Sequence, residues 1–102
     1  MVRVVRVVTV TLCVLLWARE GREAALLSYE DRVLQLLPDH GGRLLQRART
    51  AGESGRPLEV QLVQFPSEEA RASYMIDWRR AALDGDRDAA IERTEVLRVD
   101  LV

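Results

Sequence analysis

"LEVQLVQF", residues 58–65, alternates strictly: Leu58, Val60 and Leu62 on one side, Glu59, Gln61 and Val63 on the other. Period-two alternation rich in valine and leucine is the pattern of a strand with one buried face. The next residues, "PSEEARASYMIDWRRAAL" (66–83), change period. Ser67 is placed as an N-cap, and the early glutamates suit the positive end of a helix dipole. Ala70, Tyr74, Trp78 and Ala81 or Ala82 follow helical spacing. A strand running directly into a helix is the unit from which the rest of the chain is read.

Upstream lies "RLLQRART" (43–50), a second strand with Leu44, Gln46 and Ala48 on one face and Leu45, Arg47 and Arg49 on the other. The loop "AGESGRP" (51–57) between these strands predicts an antiparallel hairpin. Before that, Glu23 to Leu37 reads as an amphipathic helix. Leu26, Tyr29, Val33 and Leu37 form its apolar face, and Glu30, Asp31, Arg32 and Gln35 occupy the remainder. "PDHGG" (38–42) stops it, because proline lacks an N–H and the glycines accept positive φ.

The chain opens with "MVRVVRVVTVTLCVLLWAREG". Arginines followed by an apolar run resemble a secretion signal. The run from Val7 to Ala18 is too short for a bilayer span, and no small-x-small cleavage site follows it. We read residues 8 to 16 as a retained strand, with Val8, Val10, Leu12, Val14 and Leu16 on its apolar face. "DGDRDAAIER" (84–93) is read as a turn and a short helical piece, and "TEVLRVDLV" (94–102) as the last strand.

The order is β-α-β-β-α-β, the ferredoxin-like α+β arrangement: a four-stranded antiparallel sheet with two helices on one face, forming one domain over residues 1–102. Val10, Leu12, Val60, Leu62, Leu97 and Val99 are expected to meet the helices. Thr9, Thr11, Cys13, Gln61, Val63 and Arg98 are left for the opposite face. That mixed face, in a chain this small, predicts a face-to-face homodimer.

Fifteen basic and 16 acidic residues are nearly balanced, which argues against a nucleic-acid binder. All the basic residues are arginine, which we read as GC-rich bacterial coding bias before function. The lack of lysine excludes a Schiff-base mechanism and a P-loop lysine. Cys13 is the sole cysteine, so no internal disulfide or cysteine metal cluster forms, and a buried, inert thiol is expected. Asp84, Asp86 and Asp88 resemble the start of a calcium loop but lack its later glycine and glutamate in register. The expectation is a cytoplasmic protein without metal or cofactor and without a membrane partner.

"HGGRLLQR" (40–47), then "VQFPSEEARASY" (63–74), then Arg87 resemble the domain-of-unknown-function family 1330, within the dimeric α+β barrel superfamily. The resemblance runs from about Val8 to Asp100. It implies a homodimer and a small organic substrate. His40, Gly41 and Gly42 match the family's His-Gly-Gly turn, Arg47 its following arginine, and Phe65, Pro66 and Ser67 its Phe-Pro-Ser step. Gln64 stands where the family carries glutamate, and "YMIDWRR" departs from its usual Ser-Pro-Glu-Tyr run, with Trp78 near that tyrosine. This points to a divergent branch.

From these residues His40 is the candidate proton carrier and Arg47 the candidate partner for developing negative charge. Arg87, Tyr74, Trp78 and Gln64 are the candidates for substrate binding. His40 also has a plainer reading as the last residue of a helix, Arg47 as an edge-strand arginine, and the aromatics as core. The expected function is a small-molecule-binding homodimer, with cofactor-independent chemistry on an acidic or polyketide-like substrate. The superfamily's monooxygenases and polyketide cyclases give one alternative, and a non-catalytic structural or stress-related dimer another. The question put to the structure is whether His40 and Arg47 share one cavity.

Overall fold

A computed structural model describes residues 9–102. Residues 1–8, with the expected start of the first strand at Val8, lie outside them. The strands are β1 (Val10–Ala18), β2 (Arg43–Arg49), β3 (Glu59–Phe65) and β4 (Ile91–Arg98). The helices are α1 (Glu23–Leu34), α2 (Glu68–Met75), α3 (Trp78–Ala81) and α4 (Asp84–Ala90), with a 3-10 turn at Leu37–His40. The sheet order is β2-β3-β1-β4 and every neighbouring pair is antiparallel. This is the ferredoxin-like α+β fold.

α1 packs Leu26, Tyr29 and Val33 onto the sheet as its spacing requires, and Leu37 joins them from the 3-10 turn. Pro38 begins that turn rather than ending α1 directly. Gly41 closes it at φ 71°, a left-handed conformation that a side chain disfavours. Gly42 is small for a different reason: a Cβ there would stand 3.0 Å from the Phe65 ring and 3.1 Å from Leu37. Ser67 caps α2 by accepting a hydrogen bond from the Ala70 N–H at 3.1 Å.

The second helical stretch is not continuous. Asp77 interrupts it and caps α3, its Oδ1 accepting the Arg79 N–H at 2.8 Å. The aspartates expected in a turn open α4, where Asp84 and Asp86 occupy its first turn.

Three sheet assignments are corrected. In β3 the helix-facing side is Glu59, Gln61, Val63 and Phe65, not Val60 and Leu62. Both sides of this strand carry apolar groups, so alternation alone leaves the choice open. The register settles it: Leu12 pairs with Val63 and Val10 with Phe65, which puts the large Phe65 ring in the core. In β4, Val14 pairs with Val96 and Leu12 with Arg98, so Thr94, Val96 and Arg98 lie on the helix side. Leu97 pairs with Cys13 on the outer side and is 52% exposed. Arg98 therefore does not face the expected dimer surface; it bonds Glu68 at the start of α2 at 2.9 Å. In β2 a bulge at Leu45 breaks the alternation, so Leu44 and Arg47 both fall on the helix side.

The outer face that results is more apolar than expected. Val60 and Leu62 join Cys13, Leu15 and Trp17 there, all half-buried, beside the exposed Leu97. Cys13 is thus not fully buried.

Candidate functional site

Between the helices and the sheet lies a cavity of about 150 Å³. Leu12, Leu16, Val33, Leu37 and Val63 form its buried apolar part. Val14, Leu34 and Tyr29 extend the wall, and exposed Met75, Thr94 and Val96 form the mouth. Its sheet side is formed largely by β1 and β4, through Leu12, Val14, Leu16, Ile91, Thr94 and Val96.

One acid stands in this apolar wall. Glu30 is 5% exposed, although a solvent position was expected for it. Its place is legible in hindsight: Leu26, Glu30, Val33 and Leu37 form one continuous helical stripe. Burial raises its pKa to about 7, with the neighbouring Glu59 charge adding to the rise. The Gln61 amide nearby and the positive charges of Arg47 and Arg80 oppose it. A carboxyl balanced between its two forms near neutral pH is suited to accepting and returning a proton.

Tyr74 closes one side. Its hydroxyl donates to the Val33 carbonyl at 3.0 Å, its ring packs against Phe65, and burial holds its pKa up at about 12. The Arg80 guanidinium lies 4.4 Å over that ring. Arg71 and Arg87 also line the cavity.

The expected pairing of His40 with Arg47 does not occur, and neither residue lines the cavity. Arg47 lies behind it, with Nε on Glu59 Oε2 at 2.8 Å and Nη1 on Asp31 at 2.6 Å. Glu59 is fully buried and also accepts from the Gln61 amide. Its other oxygen, Oε1, has no hydrogen-bond partner. Arg47 is thus held between Glu59 on the neighbouring strand β3 and Asp31 on α1.

His40 sits in a shallow outer depression with Ser73, Ile76, Asp77, Trp78 and Arg79. Its Nε2 meets Asp77 Oδ2 at 2.7 Å and its Nδ1 meets the Ser73 hydroxyl at 2.9 Å. A carboxylate requires Nε2 to donate, so the neutral ring accepts the Ser73 proton at Nδ1. Arg79 also grips Asp77, and together Arg79 and His40 hold the Asp77 carboxyl well below its usual pKa. The Ser73–His40–Asp77 line has the composition of a nucleophilic triad, but the histidine presents Nδ1 to the serine and the aspartate is shared with Arg79. It ties the 3-10 turn to the α2–α3 elbow, and the imidazole edge abuts Tyr74 with ring centres 5.8 Å apart.

Of the four expected substrate-binding residues, Tyr74 and Arg87 line the cavity. Trp78 does not: it is 76% exposed beside His40. Gln64 points to the outer sheet face, where it donates to Thr11 at 3.0 Å and accepts from Arg43. Among the described residues no group of three His, Cys, Asp or Glu side chains is set to hold a metal ion. No described helix is long and apolar enough to cross a membrane.

No protein-family model and no curated protein matches the chain. Solved structures do match it in fold. A Rhodopseudomonas palustris protein of unknown function superposes with a TM-score of 0.77 at 16% identity, over 95% of this chain and 85% of that one. A Bacteroides fragilis protein, described as dimeric, of unknown function and with a ferredoxin-like fold, gives 0.69 at 11% identity over 91% and 96%. A Mesorhizobium loti protein described as of the dabb family, also with a ferredoxin-like fold, gives 0.67 at 11% identity over 92% and 97%. At these identities the likeness is one of fold.

Proposed function

We propose that the chain is a small-molecule-binding homodimer, a divergent member of the domain-of-unknown-function family 1330, whose ligand occupies the helix–sheet cavity and exchanges a proton with Glu30. The carrying observation is Glu30 itself, buried in an otherwise apolar wall with its pKa lifted to about 7. An acid left there without a full ion pair costs stability, and a cost of that kind is characteristic of functional positions. Tyr74 and Arg87 contribute from the wall and mouth. His40 supports the outer side of Tyr74, and Arg47 holds Glu59 in place behind Gln61. We place the protein in the cytoplasm, in keeping with its free thiol at Cys13.

The test is a carboxyl-carbon NMR titration of Glu30 in the intact chain, run with a panel of one-ring fragments while the methyls of Val14, Leu34 and Val63 are followed. The expected result is a midpoint near 7, about two and a half units above an ordinary glutamate, with fragments that shift those methyls also shifting the midpoint. A midpoint in the ordinary carboxylate range, insensitive to every fragment, would end the proposal.

The dimer part rests on the outer face, where Val60, Leu62 and Leu97 gather without a covering layer in the single chain. Light scattering at micromolar concentration is expected to give twice the 11.6 kDa chain mass. Leu62→Arg is expected to give the single-chain mass while leaving the far-UV circular dichroism unchanged. A wild-type chain that scatters as one copy at every concentration contradicts this part.

A further inference from the structure

The cavity is electrically lopsided. Its wall carries one acid, Glu30, and a second, Glu59, stands outside the lining behind Gln61. Its outer part carries three arginines, Arg71, Arg80 and Arg87. Arg71 has Glu68 within 3.7 Å. Several arginines elsewhere are paired with acids, Arg32 with Asp86, Arg79 with Asp77 and Asp39, Arg98 with Glu68, while Arg19, Arg22 and Arg43 bond neutral oxygens away from the cavity. Among the described residues, Arg80 and Arg87 form no ion pair. Arg80 is half-buried against the Tyr74 ring, where solvent screens its charge less than on the open surface.

We infer that the cavity takes a one-ring organic monoanion, its ring in the apolar part and its carboxylate held at the mouth by Arg80 and Arg87. This rests on the reading of the cavity as a ligand site. A volume of about 150 Å³ is enough for a six-membered ring and little more. The guanidinium fork matches a carboxylate. One negative charge is the right number, because a second, further in, would meet Glu30 and Glu59 with no cation left for it. A ring bearing its carboxylate at the mouth turns its opposite edge toward Glu30. That edge is then where a proton is exchanged, the Glu30 carboxylate accepting a C–H or O–H proton and its acid form returning it.

Binding should also depend on pH. The charged and titratable groups facing Glu30 are Glu59 from β3, Arg47 from β2, Arg80 from α3, Tyr29 from α1 and Tyr74 from α2. Tyrosines and arginines keep their protonation between about pH 5.5 and about pH 8.5. Glu59 stays paired with Arg47, whose Nε lies 2.8 Å from its Oε2. Glu30 is the group that changes, and a neutral Glu30 repels an anion less than an ionised one.

The experiment titrates the full chain with benzoate and, as its neutral counterpart, benzamide, reading dissociation constants from the methyl shifts of Val14, Leu34 and Val63. Benzoate is expected to bind about tenfold or more tighter than benzamide, and about fivefold or more tighter at pH 5.5 than at pH 8.5. Arg87→Gln, at an exposed position, should remove most of the preference for benzoate, and Arg80→Lys should retain part of it. Glu30→Gln should keep benzoate binding and lose its pH dependence. Equal affinity for benzoate and benzamide, or an unchanged preference in Arg87→Gln, overturns the anion inference and leaves the cavity reading standing. If neither compound moves the cavity methyls, both fall.

Discussion

Two buried glutamates lie near Gln61, Glu30 on α1 and Glu59 on β3, and the fold treats them in opposite ways. Glu59 is buried completely but gripped by Arg47, which Asp31 grips in turn. Glu30 is buried nearly as well, lines a cavity, and has no arginine in salt-bridge contact among the described residues. The first arrangement fixes a charge and fills space. The second keeps a proton near its release point and leaves space open. The contrast teaches that burial of an acid does not by itself mark a site; the absence of a committed cation and the presence of a void beside it do.

The sharpest way to break the contrast is to remove the grip on Glu59. Arg47→Leu removes the close partner of the buried Glu59 carboxyl and leaves only Arg49, 3.9 Å away, and the expected loss of stability is about 3–5 kcal/mol by urea denaturation. Replacing both partners, Arg47→Leu with Glu59→Leu, should return most of that loss, since an apolar pair avoids the desolvation of two charges. A single Arg47→Leu variant as stable as the parent would mean that Glu59 is solvated in solution, and the comparison between the two acids would collapse.

Glu30 should behave in the other sense. Its folded pKa of about 7 lies above the ordinary value of 4.5. At pH values below 4.5 the group is neutral in both states and costs nothing through ionisation. As pH rises from 4.5 to 7 the unfolded chain loses the proton while the folded chain keeps it, so stability falls. Above 7 the loss levels off at about 3 kcal/mol. Glu30→Gln is therefore expected to be more stable than the parent by up to about that amount at pH 8, with little difference at pH 4. Parallel denaturation midpoints against pH for the two proteins would contradict the assignment.

How much of this is legible in the sequence differs between the fold and the site. Element order is legible because each switch of period coincides with a chemical stop: Pro38 and the glycines after α1, Ser67 before α2. Strand facing is less so. "LEVQLVQF" has leucine and valine on one side but valine and phenylalanine on the other, and only pairing with Val10 and Leu12 decides which enters the core. The β2 bulge is invisible for the same reason, since it is a property of two strands together. Of the residues expected to bind substrate, Tyr74 and Arg87 line the cavity while Trp78 and Gln64 do not, and helical spacing by itself reads Tyr74 as core. Glu30 was not legible as a cavity residue, because a glutamate on a helix is usually solvated, and the stripe Leu26–Glu30–Val33–Leu37 gains meaning only once a void is found beside it.

His40 separates the two regions from the outside and gives the smallest of these effects. Its ring bridges Ser73 and Asp77 at hydrogen-bond distance and leans on the outer side of Tyr74, whose own hydroxyl is spent on Val33. Removing the ring breaks two partly solvated hydrogen bonds, so His40→Ala is expected to cost about 1–2 kcal/mol. Arg79 still holds Asp77, so the α2–α3 elbow should persist. The Glu30 titration midpoint should then stay where it is, because no atom of His40 lines the cavity. If His40→Ala moves that midpoint by a unit or more while stability changes little, the imidazole is coupled to Glu30 through Tyr74. The outer tie would then belong to the site, and the division between holding residues and reacting residues would have to be redrawn at Tyr74.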